Sequence, residues 1–121
     1  MMKFRPYMQR PRKRQAPEGV VQLAIIHYLK GIGAKVGKTK IQGTYDPVTK
    51  CRRIDIYNML GKADLECFYK GVMYAIECKA PGEKIKEGSD QDYYRKYFHL
   101  PPSRIFIEAD SLQDVIDVIP Q

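Results

Sequence analysis

Asp64 is followed, after twelve intervening residues, by Glu77-Cys78-Lys79. The stretch between them has the pattern of a β-hairpin, with strands over 63–69 and 72–79 and a turn at Lys70-Gly71. Alternate side chains on a strand share a face, so Glu77 and Lys79 point one way while Ile76 and Cys78 point the other. A tight turn brings the open ends of a hairpin together, which sets Asp64 beside that polar pair. Two carboxylates and an ammonium then meet at one end of a sheet. Close carboxylates repel, and a hard divalent cation between their oxygens relieves the repulsion; Mg²⁺ is the natural guest, with Mn²⁺ able to substitute. Phosphodiester hydrolysis needs this combination: a metal to polarise the phosphoryl oxygen and acidify a water, and a cation near that water. An isolated Glu-x-Lys is also what an ordinary cross-strand ion pair looks like, so the weight rests on Asp64, Glu77 and Lys79 together.

The surrounding elements must bring these residues into place. From Pro17, apolar residues fall at 20, 21, 24, 25, 28, 29 and 32, the spacing of a helix that Pro17 can open and Gly31 or Gly33 can end. Glu18 and Gln22 lie one turn apart on it. Two β-like runs, 36–45 and 51–57, flank Asp46-Pro47-Val48-Thr49 and predict a first hairpin. Beyond Pro81-Gly82, a polar stretch leads to Ser89, which can cap a helix through Phe98. Arg104 to Glu108 follows as a short strand, and Ser111-Leu112-Gln113-Asp114 is a capping-box start for a last helix through Ile119. The expected fold is α/β in the order α-β-β-β-β-α-β-α, a mixed sheet flanked by helices.

Gly61-Lys62-Ala63-Asp64, the Glu77-Cys78-Lys79 strand, Glu18 on the first helix and Gln91 on the helix after the strand together resemble the VRR-NUC family, the virus-type replication and repair nucleases of the PD-(D/E)XK nuclease superfamily. The resemblance spans about 17–119 in element order and implies a restriction-endonuclease-like fold. It also implies roles. Asp64, Glu77 and the backbone carbonyl of Cys78 would bind the metal, Lys79 would position or activate the water, and Glu18 would assist the metal or its water shell. Gln91 would orient Lys79 or touch the phosphate. The segment from Gly82 to Gln91 is longer than the family's usual link. The implied activity is Mg²⁺-dependent DNA cleavage by an endonuclease acting on branched DNA such as Holliday junctions, in a bacterial or phage-infected cell.

Composition bounds these expectations. The chain has 121 residues and a net charge of +7, one domain's worth of protein. Lys3, Arg5, Arg10, Arg12, Lys13 and Arg14 all precede the first acid, Glu18, and Pro6, Pro11 and Pro17 interrupt them. Residues 1–16 are therefore expected to form a flexible basic arm for a polyanion, and 17–121 the folded domain. Lys38, Lys40, Arg52 and Arg53 on the first hairpin would extend a phosphate track, with ordinary surface charge the plain alternative. No apolar run approaches a membrane span and no signal-like segment follows the first residues, so an intracellular, cytoplasmic protein is expected. Cys51, Cys67 and Cys78 have no zinc-ligand spacing and are expected to be reduced thiols. Asp55 is assigned to a solvated strand face and Glu66 is a candidate outer ligand. His27 and His99 stand isolated. Tyr93, Tyr94, Tyr97 and Phe98 are expected in core and subunit contacts. Concerted incision of two strands would call for a homodimer. A monomeric flap or nicking endonuclease, or a non-catalytic nucleic-acid-binding module, would share most of these features.

Overall fold

The computed structural model describes residues 17–39, 44–53 and 60–121. Lys3, Arg5, Arg10, Arg12, Lys13, Arg14, Lys40 and Asp55 lie outside the described residues, as does the continuation of the expected second strand beyond Arg53.

The elements run α1 (Pro17–Gly31), β1 (Lys35–Lys38), β2 (Thr44–Asp46), β3 (Cys51–Arg53), β4 (Leu65–Tyr69), β5 (Val72–Cys78), α2 (Asp90–Phe98), β6 (Arg104–Ala109) and α3 (Leu112–Val118). A four-stranded mixed sheet has the order β1-β4-β5-β6, with β1, β4 and β5 antiparallel and β6 parallel to β5. Parallel neighbours need a crossover, and α2 supplies it.

Strand alternation divides the two faces of the sheet. Leu65, Cys67, Tyr74, Ile76, Cys78, Ile107 and Ala109 face one way and form the main core with Val21, Ile25 and Leu29 of α1 and with Val115 and Ile119 at α3. Ala75 faces the other way and packs with Ala63, Tyr94 and Phe98 under α2, flanked by Met73 and Phe106. The result is three layers, with α1 and α3 on one side of the sheet and α2 on the other.

One expected element is redrawn. The run over 36–45 is not a single strand paired with 51–57: β1 joins β4 in the main sheet, whereas β2 and β3 form a separate two-stranded ribbon. Period-two patterning identifies a strand but not its partner. Val36 is drawn to the main sheet because its position opposite Cys67 lets it pack on the core. Among the described residues the order therefore carries one strand more than expected. The Ser89 cap of α2 forms as expected, its hydroxyl accepting from the Asp92 amide at 3.2 Å. At α3 Ser111 makes no side-chain cap, and Asp114 reaches back one residue further, accepting from the Asp110 amide at 3.1 Å.

Candidate active site

The β4–β5 register determines the geometry of the site. Leu65 pairs with Ile76 as the first rung of the ladder, so Asp64 and Glu77 are the next residues outward, opposite each other and on one face. Directly opposed residues of an antiparallel pair have Cβ atoms about 4.5–5.5 Å apart. Both side chains are buried, Asp64 at 5% and Glu77 at 1% exposure. A buried carboxylate needs donors: the Cys78 amide donates to Asp64 Oδ2 at 3.0 Å, and Gln91 Nε2 donates to Glu77 Oε1 at 2.8 Å.

Gln91 also joins Glu77 to Lys79. Its Oε1 accepts from Lys79 Nζ at 2.7 Å while its amide nitrogen serves Glu77. A glutamine side chain has one acceptor end and one donor end, and here each end meets the partner it suits. The longer segment before Gln91 does not carry it away from the strand. Asp64, Glu77, Lys79 and Gln91 thus come together at the open end of the β4–β5 hairpin.

Two residues not singled out in the sequence support this corner. Thr39 follows β1 opposite Asp64; its amide donates to the Asp64 carbonyl at 3.0 Å and its hydroxyl donates to the Ala63 carbonyl. Glu108 pairs in register with Glu77 across the parallel β5–β6 ladder, and its carboxylate accepts from the Ile85 amide at 2.6 Å and from Arg95 at 3.0 Å. Nothing local announces Glu108, because parallel register is set by the crossover rather than by a turn.

The other expected site residues are placed differently. Glu18 is exposed on the first turn of α1, the helix that packs on the face of the sheet opposite α2. Among the described residues no three His, Cys, Asp or Glu side chains group closely enough to hold a metal ion, so Glu18 does not complete a triad with Asp64 and Glu77. Lys38 is exposed opposite Leu65, on the face away from Asp64. Arg52 and Arg53 belong to β3 in the separate ribbon. Glu66 is engaged by Lys62 at 3.5 Å. The aromatic cluster divides: Tyr94 and Phe98 are buried and stacked at 5.8 Å, whereas Tyr93 and Tyr97 are exposed. His99 Nδ1 accepts from the Phe106 amide at 3.1 Å, a structural bond at the end of α2. Cys67 and Cys78 are buried, and burial pushes the Cys67 thiol up to about 11, which keeps it protonated and unreactive at neutral pH.

The donor set suits a hard cation. Mg²⁺ is commonly held through one or two carboxylates, with water and substrate oxygens completing its shell, and the buried Asp64 and Glu77 are two such carboxylates. Asp64 is anchored on the backbone of Cys78, whose carbonyl is the third expected donor. No protein-family model matches the chain, and no curated protein or solved structure matches it either. Among the described residues no helix is long and apolar enough to cross a membrane.

Proposed function

We propose that this chain is a metal-dependent endodeoxyribonuclease with a restriction-endonuclease-like core, a VRR-NUC-type enzyme acting on branched DNA. One observation carries the proposal. The Gln91 amide bridges the buried Glu77 carboxylate and the Lys79 ammonium, at the hairpin end where Asp64 stands opposite Glu77. An ordinary surface ion pair needs neither the burial nor the intervening amide.

Asp64, Glu77 and the Cys78 carbonyl are the residues that would hold Mg²⁺ or Mn²⁺. The chemistry supplied by the bound ion would be polarisation of the phosphoryl oxygen and acidification of an attacking water. Gln91 holds Lys79 at a fixed place beside the carboxylates, so the ammonium can orient that water and offset negative charge developing on the phosphate. Asp64 and Glu77 stand opposite each other, each hydrogen-bonded to a neutral amide. Glu18 has no direct role in this reading, beyond an outer position at the helix start. The basic residues at 3, 5, 10, 12, 13 and 14 would bind the DNA backbone, and paired incision would bring two copies together.

The test is cleavage of labelled four-way junction, flap and linear duplex DNA in Mg²⁺ and Mn²⁺. Asp64→Asn and Glu77→Gln are expected to abolish cleavage by the full chain while DNA affinity stays within a few fold, and chelation should abolish wild-type cleavage. Full cleavage by either variant would remove the site assignment. A second reading, a nucleic-acid-binding module without catalysis, is favoured by the two-carboxylate rather than three-ligand grouping. Binding with no cleavage of any of the three substrates in either metal would select it.

A further inference from the structure

Between β5 and α2 the chain runs Ala-Pro-Gly-Glu-Lys-Ile-Lys-Glu-Gly-Ser over 80–89, a composition that would ordinarily give a loose surface loop. Here it is tied down along its length. The Gly82 amide donates to Asp110 Oδ2 at 3.1 Å, the Ile85 amide donates to Glu108 Oε1 at 2.6 Å, and the Gly88 amide donates to Asp92 Oδ2 at 2.9 Å. Ser89 closes the segment on the Lys86 carbonyl through both its amide and its hydroxyl. Ile85 is buried while Lys84 and Lys86 on either side of it are exposed. Two ammonium groups are thus presented outward from a fixed backbone.

They open onto the candidate active site. Lys79, Glu83, Lys84, Lys86, Ser89 and Gln91 line one open cleft of about 450 Å³, a volume within the range of small-ligand sites. None of the six is apolar, and three ammonium groups face one carboxylate. Such a lining suits an anion and offers nothing to an apolar ligand. Lys84 is loosely held in its present pairing: it lies 3.7 Å from Asp110 with its side chain 68% exposed, and an ion pair that exposed is readily exchanged.

We propose that this cleft binds the DNA backbone, taking a phosphate adjacent to the one that is cleaved, with Lys84 and Lys86 as its cations. The adjacency to a cleaved phosphate rests on the nuclease reading; the affinity of the cleft for a DNA phosphate is tested apart from it. Because the loop backbone is held by Asp92, Glu108 and Asp110, little ordering is required when DNA arrives.

The experiment is a salt titration of binding to a labelled linear duplex in EDTA, using the full chain. A Lys84→Ala/Lys86→Ala variant is compared with a Lys30→Ala/Lys70→Ala variant, which removes the same charge from the last turn of α1 and from the β4–β5 turn, and with Lys84→Arg/Lys86→Arg. Each lost phosphate contact removes about 0.9 from the magnitude of the log-affinity against log-salt slope. The cleft variant, which loses its one phosphate, should therefore lose about 0.9, while the charge-matched control and the arginine variant keep the wild-type slope. A slope unchanged in the cleft variant, or reduced equally in the control, would overturn the proposal; a thermal melt of each variant shows that the comparison is between folded proteins. Cleavage by the wild type in Mg²⁺ is scored separately. A flattened slope beside an inactive wild type would retain the DNA cleft and discard the hydrolase.

Discussion

Gln91 joins the two halves of the candidate chemistry, since it returns from a helix to bind both an acid and a base of a strand. That geometry makes Lys79 testable. If the ammonium offsets charge that develops only in the transition state, Lys79→Ala should lower the single-turnover cleavage rate by roughly 10² to 10³-fold, the scale for one electrostatic group. Its thermal stability should change little. An exposed Glu/Lys pair is worth only about 0–1 kcal/mol and would predict no rate effect beyond about threefold. Single-turnover cleavage at saturating Mg²⁺ distinguishes the two. Asp64, Glu77 and Lys79 were legible in the sequence because a hairpin with a two-residue turn fixes its own register, and opposition of 64 to 77 follows from it. Gln91 came only through the family resemblance, since its place depends on a crossover that no local pattern encodes. The reach expected of Glu18 did not lead to a three-ligand group, because spacing along a helix does not specify which end of a sheet its side chains approach.

Among the elements, the start of α2 is set by a glycine in a different segment. Gly61 has φ +73°, and a Cβ built on it would lie 2.2 Å from the Asp90 carbonyl oxygen and 2.6 Å from the Gln91 nitrogen. The backbone of α2 cannot yield as a flexible side chain would, so Gly61→Ala must push the first turn of α2 outward and carry Gln91 away from Glu77 and Lys79. Gly71 in the β4–β5 turn has a similar φ of +79° but nothing within 4 Å of its Cβ position. Gly71→Ala therefore bears the left-handed strain alone. Both variants should lose upward of about 1 kcal/mol in urea unfolding, but only Gly61→Ala should also lose cleavage, by about tenfold or more. Equal activities would show that the α2 start does not position the site. Gly61 was visible in the sequence as part of a motif, whereas its contact with α2 was not, because a close approach between segments leaves no periodic trace. The first hairpin is right only next to its turn, where Thr44–Asp46 pairs with Cys51–Arg53, and for a related reason its start is not: β1 has the strand pattern, yet its partner is the distant β4 rather than the neighbouring run.

Across the whole molecule, acid stability and the basic cleft share their supports. Asp92 is fully buried, and its carboxylate accepts from the Gly88 amide at 2.9 Å, from Lys96 at 3.1 Å and from Arg95. The Gly88 amide first, then Arg95 and Lys96, hold this carboxyl well below the usual carboxylate range. Asp110, at the other end of the same loop, is likewise lowered, first by the Gly82 amide. A carboxyl whose pKa is lowered by folding contributes stability that is complete above the unfolded value of about 3.9 and is lost as pH falls from there toward the folded value. Over that window the unfolded chain binds a proton that the folded chain refuses. The unfolding free energy of the wild type, measured in urea from pH 7 to pH 3, should therefore fall below about pH 5. Asp92→Asn should be less stable at pH 7, since it cannot keep all three interactions as an anion does, and its stability should vary less with pH between 5 and 3. The two curves are expected to converge in acid. Parallel curves through that window would mean that Asp92 is not among the groups whose protonation loosens the fold. Because Asp92 and Asp110 clamp the two ends of the segment bearing Lys84 and Lys86, and the folded protein keeps Asp92 ionised through this window, the clamp should hold in wild type while the fold loses stability; Asp92→Asn, which removes it, should weaken duplex affinity in EDTA already at pH 7.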